Sequence, residues 1–367
     1  MNIPFVDLKA QYKSIQAEID NVIQEVLDTT AFIKGPFVKK FEEHFGNTMG
    51  VENVVSCANG TDAIYITLKA LGIGPGDEVI TVANSWISTS ETISQTGAKP
   101  IFADIHPDYY TIDISLIEKL ITPKTKAIIP VHLYGQTVEM NSLLELCEPR
   151  GLHLIEDCAQ AHLAECNGRK AGTIGIAGTF SFFPGKNLGA YGDAGAIISN
   201  DDDFAKKARM FANHGSLSKH KHELEGINSR MDGMQAAVLF VKLPYLKEWT
   251  QNRREVASWY DAALNDISDV VIPTVRQSSA HVYHLYVIRT SERDSLKEFL
   301  HKEGISTGIH YPVALPLLPA YDYLGHQKED FPVASSYQSQ ILSLPIYPEM
   351  TEEKVVFVCD RIKSFFK

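Results

Sequence analysis

The sequence predicts an α/β protein with a largely parallel sheet that helices cover on both faces. From residue 53 onward, short apolar runs alternate with spacers of helical length and period, as they do in β-α-β units. Of the 367 residues, 44% are hydrophobic, which is enough to bury a large core and favours two linked domains. We predict a large domain over residues 1–249 and a smaller C-terminal α/β domain over residues 250–367. Ligands are expected beyond the carboxyl ends of the strands.

Two helices are predicted before the alternating region. Apolar residues recur at helical spacing from residue 8 to residue 27, which predicts one long amphipathic helix. A second helix follows Gly35-Pro36, carries three phenylalanines on one face and ends at Gly50, a residue type common at helix C-caps. These helices are therefore expected to pack their apolar faces on the rest of the chain.

The alternating region contains six predicted strands, and the last third of the chain forms a further α/β unit. Later helices are predicted over 201–211 and 232–249, with a kink at Pro244. The last third is predicted as a helix ending at Leu264, a strand over 281–289 and a helix over 291–303. The six strands are predicted over 53–57, 78–82, 100–105, 126–131, 153–156 and 194–199.

Charge and composition exclude several classes of function. The formal net charge of −11 argues against binding nucleic acid or an anionic membrane, because both need a basic face. Residues 1–11 contain no apolar core of signal-peptide length, and no apolar run reaches the roughly 18 residues of a membrane span. The five cysteines are scattered without a Cys-x-x-Cys pair, so neither a disulfide framework nor a zinc site is indicated. We therefore predict a cytoplasmic globular protein.

A single lysine, Lys186, lies in a glycine-rich turn between two apolar, strand-like runs that span residues 180–197. An ammonium group is costly in such surroundings unless it has a partner or a lowered pKa. A lysine with a lowered pKa is a nucleophile that can form an imine with an aldehyde. The alternative is a surface lysine at the tip of a hairpin. Other residues must decide between the two.

Three predicted strand ends carry side chains that could bind a planar anionic ligand. Gly60 and Thr61 lie where a strand turns into a helix, and free amides at a helix start bind anions; an ordinary capped turn is the alternative. Trp86 follows the next strand and could stack on a ring, although a core position is the alternative. Asp157 ends a later strand and could pair with a protonated ring nitrogen, or serve as a helix cap or ion-pair partner.

The segment 214–222 is polar and basic in an acidic protein, which predicts a mobile loop that meets an anionic substrate. The spacing of His220 and His222 could suggest a metal site. No cysteine or acid completes a ligand set there, so we predict no metal.

Taken together, these residues suit pyridoxal 5'-phosphate (PLP), which needs a phosphate cradle, a stacking face, a carboxylate for its ring nitrogen and an amine for its aldehyde. The sequence resembles the DegT/DnrJ/StrS sugar aminotransferases almost from end to end. The segments that carry the resemblance are 4–8, 59–63, 76–80, 156–160, 181–195, 228–231 and 309–312.

The resemblance implies the aspartate-aminotransferase fold (fold type I), with a mostly parallel seven-stranded sheet in the large domain. It implies that Lys186 binds PLP covalently and then acts as the general acid and base. It also implies a homodimer with shared active sites, because Asn228 reaches the phosphate of the neighbouring subunit. The implied cofactor contacts are Gly60, Thr61, Trp86, Asp157, Gln160 (near the ring hydroxyl), Ser181, Lys186 and Asn228, and the implied substrate contacts are Asn228, Arg230, His310 and Tyr311.

The resemblance implies transfer of an amino group from L-glutamate to a keto nucleotide sugar for cell-surface polysaccharide synthesis. The residues around Lys186 are most similar to those of enzymes that act at C-3 of a dTDP-3-keto-6-deoxyhexose, and a UDP-linked 3-keto sugar is the second candidate. A lysine at position 186, where some relatives have histidine, favours transamination over sugar dehydration.

Two other classes of function stay open at this point. One is a regulatory protein that binds PLP without turnover, against which the intact Lys186, Asp157 and Gln160 argue. The other is a lyase or desulfurase of the same fold. That activity needs an exposed cysteine with a low pKa, whereas the candidate cysteines lie in or beside apolar strands.

Overall fold

Twelve strands are present in the computed structural model, which describes residues 1–367. Most of the strands predicted for the large domain lie within two residues of their predicted bounds. The strands are β1 (Asn53–Cys57), β2 (Glu78–Val82), β3 (Lys99–Ala103), β4 (Thr125–Ile129), β5 (His153–Asp157), β6 (Glu165–Cys166), β7 (Arg169–Lys170), β8 (Ala177–Ser181), β9 (Gly195–Ser199), β10 (Ser279–Ala280), β11 (Tyr286–Arg289) and β12 (Ile341–Leu344).

Seven of these strands form the central sheet, in the order β1-β9-β8-β5-β4-β2-β3. β9 pairs antiparallel with both β1 and β8, and all other neighbours are parallel. The predicted mostly parallel, seven-stranded sheet is confirmed. The hairpin between β8 and β9 carries Lys186, so the lysine lies at the edge where the parallel strands end.

Twelve α-helices surround the sheet and build the C-terminal part. They are α1 (Leu8–Ser14), α2 (Gln16–Thr29), α3 (Pro36–Met49), α4 (Gly60–Ala70), α5 (Ser88–Gln95), α6 (Met140–Cys147), α7 (Asp202–Phe211), α8 (Gly233–Lys242), α9 (Leu246–Leu264), α10 (Arg293–Lys302), α11 (Pro332–Tyr337) and α12 (Glu352–Phe365). None of them is long and apolar enough to cross a membrane.

The helices cover both faces of the sheet, as predicted. Side chains of α4, α5 and α7 pack on one face, and those of α3, α6 and α8 pack on the other.

The phenylalanine face of α3 packs against the strand that leads into the lysine hairpin. Phe45 packs edge-on against Phe180 with 5.3 Å between the ring centroids, and Phe41 packs edge-on against Phe182 at the same separation. These contacts fix the strand that leads into the lysine turn.

The predicted helix over residues 8–27 is wrong in its continuity. Ile15 has φ −126° and ψ 22°, which is not helical, and the chain forms α1 and α2 on either side of it. The Ile15 side chain is buried beside Ile19 and Trp249. The predicted kink at Pro244 is confirmed, because a 3₁₀ turn over Leu243–Tyr245 separates α8 from α9.

The C-terminal part is built around the antiparallel pair β11 and β12, with α9, α10 and α12 in the same hydrophobic core. Helix α9 runs through position 249, so the predicted boundary between residues 249 and 250 falls inside one helix. The division into domains 1–249 and 250–367 stays a prediction.

The predicted strand over 281–289 is shorter than predicted, because only 286–289 belongs to β11. Residues 282–285 instead follow a loop beside the strand ends. The amide of Val282 donates to the carbonyl of Gly135, and the amide of Leu285 donates to the carbonyl of Tyr134. A Cβ on Gly135 would lie 2.9 Å from a methyl group of Val282, so only glycine allows this approach.

Candidate active site

The turn from β1 into α4 forms the first part of the site, as predicted. Asn59 caps the helix by accepting a hydrogen bond from the amide of Asp62 at 2.8 Å. The amides of Gly60 and Thr61 lie in the first turn and make no main-chain hydrogen bond, so they are free to bind an anion. A Cβ on Gly60 would lie 2.6 Å from Cβ of Ser181. Glycine at position 60 therefore lets the predicted phosphate-binding residues lie side by side.

Asp157 lies at the end of β5 and is 4% exposed. Its Oδ2 accepts a hydrogen bond from the Thr89 hydroxyl at 2.8 Å, and its Oδ1 accepts one from the amide of Ala159 at 3.1 Å. Burial raises the pKa of Asp157, and these two donors oppose that effect. A carboxylate with two donors keeps a free lone pair on each oxygen, which suits an acid that holds a protonated ring nitrogen.

Lys186 lies in the hairpin between β8 and β9, and its amide donates to the carbonyl of Phe183 at 2.8 Å. The side chain is partly buried. Burial lowers the pKa of Lys186 to about 8, and the charge of Asp157 acts in the opposite direction. A large fraction of the amine is then neutral near pH 8. The alternative of a freely solvated lysine at a hairpin tip does not fit this environment.

Gln160, which follows β5, and Tyr311, in the C-terminal part, are hydrogen-bonded to each other and form one wall of the site. The side-chain oxygen of Gln160 accepts from the amide of Tyr134 at 2.6 Å, and its nitrogen donates to the Tyr311 hydroxyl at 3.0 Å. The ring centroids of Tyr311 and Trp86 are 5.8 Å apart. Trp86 is 59% exposed, which rules out the core position considered for it and leaves its indole accessible to a planar ligand.

His310 lies beside this wall. Its ring stacks on Phe5 with 5.7 Å between centroids, and its Nδ1 lies 2.8 Å from the Ser343 hydroxyl. Burial, and then the charge of Lys186, lower the pKa of His310 to about 4. The imidazole is therefore neutral at physiological pH. Its backbone carbonyl accepts a hydrogen bond from the Tyr134 hydroxyl, so Tyr134 connects two parts of the site that sequence reasoning did not join.

Asn228 and Arg230 do not join this cluster within one chain. Asn228 is exposed and pairs through its backbone with Asn213. The segment nevertheless touches the phosphate turn, because the Ser229 hydroxyl accepts a hydrogen bond from the amide of Ala58 at 3.1 Å. Arg230 lines a separate cavity of about 240 Å³ together with Lys34, Arg209 and Glu42. An exposed Asn228 is compatible with a role in a neighbouring subunit, and that role stays a prediction.

A buried pair that the sequence analysis missed, His132 and Glu156, stabilises the loops around the site. The carboxylate of Glu156 accepts from Nε2 of His132 at 2.9 Å and from the amides of Gly172, Ile174 and Gly175 at 2.7–2.8 Å. Nδ1 of His132 accepts from the amide of Val138 at 3.1 Å, so Nε2 carries the proton. The only signal in the sequence was a second acid directly before Asp157.

The same pair lies close to Cys158, and the three side chains could be mistaken for a metal site because their ligand atoms lie within 4.8 Å of one another. Both oxygens of Glu156 and both ring nitrogens of His132 are already hydrogen-bonded. Burial raises the pKa of Cys158, so its thiol stays protonated. We interpret the group as a hydrogen-bonded clamp.

The clamp leads to a stability prediction. In Glu156→Gln, an amide NH₂ would replace one oxygen and face backbone N–H donors, so we expect a loss of about 3 kcal/mol in the free energy of unfolding. Urea unfolding, monitored by circular dichroism, measures this loss of stability. Glu43→Gln is the control, because Glu43 is exposed and only pairs with Lys39 at 3.8 Å. Equal midpoints for the two variants would contradict the clamp.

All five cysteines are buried. Burial raises the pKa of Cys147 to about 11 and raises that of the other four thiols as well. A desulfurase needs an exposed, easily deprotonated cysteine, so this alternative has no candidate residue.

Comparison with known proteins identifies close relatives. A model of the DegT/DnrJ/EryC1/StrS aminotransferase family matches residues 13–363. The chain is 45% identical to a "pleiotropic regulatory protein" of Geobacillus stearothermophilus, with 100% of this chain and 99% of the relative covered. It is 41% identical to a dTDP-3-amino-3,4,6-trideoxy-alpha-D-glucose transaminase of Streptomyces venezuelae (99% and 96% covered). It is 40% identical to a UDP-N-acetyl-3-dehydro-alpha-D-glucosamine 3-aminotransferase of Acidithiobacillus ferrooxidans (98% and 97% covered).

Solved structures give the same result. The crystal structure of S. venezuelae DesV in complex with a ketimine intermediate matches with a TM-score of 0.97 and 41% identity, covering 100% of this chain and 99% of that chain. NtdA from Bacillus subtilis with the bound cofactor PMP matches with a TM-score of 0.91 and 33% identity, covering 100% and 85%. The fold is therefore the predicted fold type I.

The residues of this chain fit PLP. The free amides at Gly60 and Thr61 provide an anion site, and the absence of a Cβ at position 60 leaves room beside the Ser181 hydroxyl. Asp157 offers free lone pairs, and Lys186 offers an amine with a lowered pKa.

The geometry and the relatives thus agree. The family match over residues 13–363 includes every residue of the site, and the relatives with 41–45% identity align over nearly the whole chain. This chain belongs to the DegT/DnrJ/EryC1/StrS aminotransferase family and is a PLP-dependent sugar aminotransferase.

Proposed function

We propose that this enzyme transfers the amino group of L-glutamate to C-3 of a dTDP-linked 3-keto-6-deoxyhexose, with a UDP-linked 3-keto sugar as the second candidate. The observation that carries the proposal is the hairpin around Lys186. Its sequence over residues 184–195 resembles that of C-3 enzymes, and as part of the pocket floor it influences which ketone of the sugar faces the amine. Relatives named for dTDP-linked and UDP-linked 3-amino sugars, at 41% and 40% identity, support it.

The residues of the chain divide the chemistry between them. PLP, when bound, supplies the electron sink that lets an amino group and a proton move between glutamate and the sugar. Lys186 Nζ removes and returns the proton at the reacting carbon, for which a pKa near the working pH is suited. Asp157, in its ionised form, keeps the ring nitrogen protonated. Gly60, Thr61 and Ser181 bind the phosphate, and Gln160 lies near the ring hydroxyl.

We place the sugar nucleotide between Trp86, Tyr311 and His310 on one side and Asn228 and Arg230 of a second subunit on the other. This arrangement rests on the exposure of Trp86 and Asn228. The loop over 214–222, whose lysines and histidines are exposed, would then meet the diphosphate. We propose a cytoplasmic homodimer that serves cell-surface polysaccharide synthesis. The alternative of a PLP-binding regulator matches the name of one relative. It would use Lys186 only to hold the cofactor and would leave the general acid and base role of this lysine unused.

A panel of keto sugars on different nucleotides tests the proposal directly. The enzyme is first converted to its amine form with L-glutamate and is then mixed with 3-keto and 4-keto sugars linked to dTDP, UDP or GDP. Return of the PLP absorption band should be fastest with the dTDP-linked 3-keto sugar. A faster return with any 4-keto sugar would refute the C-3 assignment, and no return with any sugar would favour the regulator.

The lowered pKa of Lys186 predicts how apoprotein captures PLP. Only the neutral amine attacks the aldehyde, so below pH 8 the capture rate should rise about tenfold per pH unit. Above the pKa of about 8 it should level off. Stopped-flow absorbance of apoprotein mixed with PLP measures this profile. A rate that keeps rising to pH 10 would mean that the lysine has an ordinary pKa.

Shared active sites predict complementation between two inactive variants. Mixed dimers of Lys186→Ala and Asn228→Ala contain one site with an intact lysine and an intact asparagine. Random reassembly should therefore restore up to about a quarter of the wild-type activity. The measurement is turnover after the two variants are unfolded and refolded together, with each refolded alone as the control. A fully active monomer by light scattering would contradict shared sites.

A further inference from the structure

The first turn of α5 contacts two residues that are predicted to bind opposite ends of the cofactor: Thr61 at the phosphate and Asp157 at the ring nitrogen. Ser88 Oγ is 2.6 Å from Thr61 Oγ1, next to the predicted phosphate cradle. The next residue, Thr89, donates its hydroxyl to Oδ2 of Asp157 at 2.8 Å. The Ser85 hydroxyl lies 3.1 Å from Thr89 Oγ1. Ser85, Ser88, Thr89 and Asp157 are all buried.

The direction of these hydrogen bonds follows from the acceptor at their end. An ionised Asp157 can only accept, so Thr89 donates to it, and Ser85 must then donate to Thr89. Two aligned hydroxyls strengthen each other's hydrogen bonds in a buried environment. The pair therefore stabilises the charged form of a carboxyl group whose pKa burial raises.

Other hydroxyl groups of α5 behave in the usual way for a helix. Thr92 donates to the carbonyl of Ser88 at 2.8 Å, and Ser90 donates to the carbonyl of Ile87 at 3.1 Å. Ser88 and Thr89 instead direct their hydroxyls to side chains 27 and 68 residues away in the sequence. Local helix capping does not account for this difference.

We propose that the first turn of α5 is a positioning element for both ends of the cofactor site: Thr89, supported by Ser85, holds the Asp157 carboxylate ionised and oriented toward the ring nitrogen, and Ser88 holds the Thr61 hydroxyl toward the phosphate. The proposal rests on the roles proposed above for Asp157 and Thr61. The Thr89 half acts on the ring nitrogen and the Ser88 half acts on the phosphate, so the two halves can be measured separately.

The test of the Thr89 half compares Thr89→Val, which removes the hydroxyl at nearly constant shape, with Thr89→Ser, which keeps it. In Thr89→Val, the pH titration of the bound-cofactor absorbance should shift, and kcat with glutamate should fall about tenfold or more with little change in KM. Thr89→Ser should retain the wild-type titration. A wild-type titration in Thr89→Val, or an equal shift in Thr89→Ser, would overturn this half.

The test of the Ser88 half measures the Kd of apoprotein for PLP by fluorescence. Ser88→Ala should raise the Kd about fivefold to tenfold, because the Thr61 hydroxyl loses the partner that orients it toward the phosphate. The pH titration of the bound cofactor should not move. An unchanged Kd would overturn this half.

Two controls keep the outcomes distinct. The Tm of each apoprotein shows whether a variant is folded. If Thr89→Val does not fold, Ser85→Ala takes its place and should shift the titration in the same direction by a smaller amount, and no shift would overturn the Thr89 half. Asp157→Asn tests the role of the acid itself: normal turnover in that variant would refute the proposed function of Asp157, whereas a defective Asp157→Asn beside a normal Thr89→Val would refute only this inference.

Discussion

Lys186→Ala is expected to lower kcat by about a thousandfold or more, because no other side chain at the site combines an amine with a pKa of about 8. PLP should still bind, since the phosphate turn at Gly60 and Thr61 and the acid Asp157 do not depend on the lysine. Turnover with glutamate and a keto sugar measures the first effect. Equilibrium dialysis of PLP against the apoprotein measures the second.

Lys186→Arg separates charge from proton transfer. The guanidinium keeps the positive charge but stays protonated at all accessible pH values, so this variant should be as inactive as the alanine variant. Lys39→Ala is the control for a lysine on the surface, since Lys39 is exposed. Retention of more than about a tenth of the wild-type rate in Lys186→Ala would mean that the general base is a different residue.

Asp157→Asn is expected to lower kcat by roughly a hundredfold or more while leaving KM nearly unchanged. A neutral amide cannot hold the proton on the ring nitrogen, so the electron sink is weakened after the substrate has bound. The site can accommodate the amide without unfolding. Its oxygen can still accept from the amide of Ala159, and its NH₂ can face the Thr89 hydroxyl, which then accepts instead of donating.

The measurement for Asp157→Asn is the rate at which glutamate converts the bound cofactor to the amine form, followed by absorbance in a stopped-flow instrument. Asp203→Asn is the matched control, because Asp203 is an exposed acid on α7, outside the hairpin that carries Lys186. A normal rate in Asp157→Asn, or an equal loss in Asp203→Asn, would contradict the role of Asp157.

Three of the predicted site residues share one property: each lies at or shortly after the end of a strand. Gly60 follows β1, Asp157 ends β5, and Ser181 ends β8. Because the carboxyl ends of parallel strands lie at one edge of a sheet, a ligand site was expected there, and the family resemblance implied that Gly60 and Ser181 share the phosphate site. In the structure, Gly60 lies close to Ser181, and their shared role at the phosphate stays a prediction.

The supporting residues could not be predicted, since their partners are distant in the chain and their own positions look ordinary. Thr89 is one of several hydroxyl residues on α5, and only the folded chain shows that it reaches Asp157. Tyr134 lies 176 residues from the carbonyl to which it donates. His132 and Glu156 each have a plausible local explanation, and their pairing depends on the register of β4 and β5.

The two incorrect element boundaries have related causes. Ile15 continues the apolar period of a helix, but tertiary packing against α9 and α8 takes the chain out of helical geometry there. Residues 281–285 are rich in β-forming side chains, but the amides of Val282 and Leu285 bond to the loop at Gly135 and Tyr134 instead of to a strand. In both places, contacts with distant elements outweigh local propensity.

The central claim is that Lys186 is the residue that binds PLP covalently in this aminotransferase. Borohydride reduction of the holoprotein, followed by proteolysis and mass spectrometry, tests it most directly. Lys242 is the internal comparison, because it is also buried, its pKa is also lowered to about 8, and its amine donates to the carbonyl of Gly189 in the same hairpin. We expect the phosphopyridoxyl group on Lys186 alone, and its loss when L-glutamate is added before reduction. Labelling of Lys242 or of any other lysine, or labelling that glutamate leaves unchanged, would contradict the account.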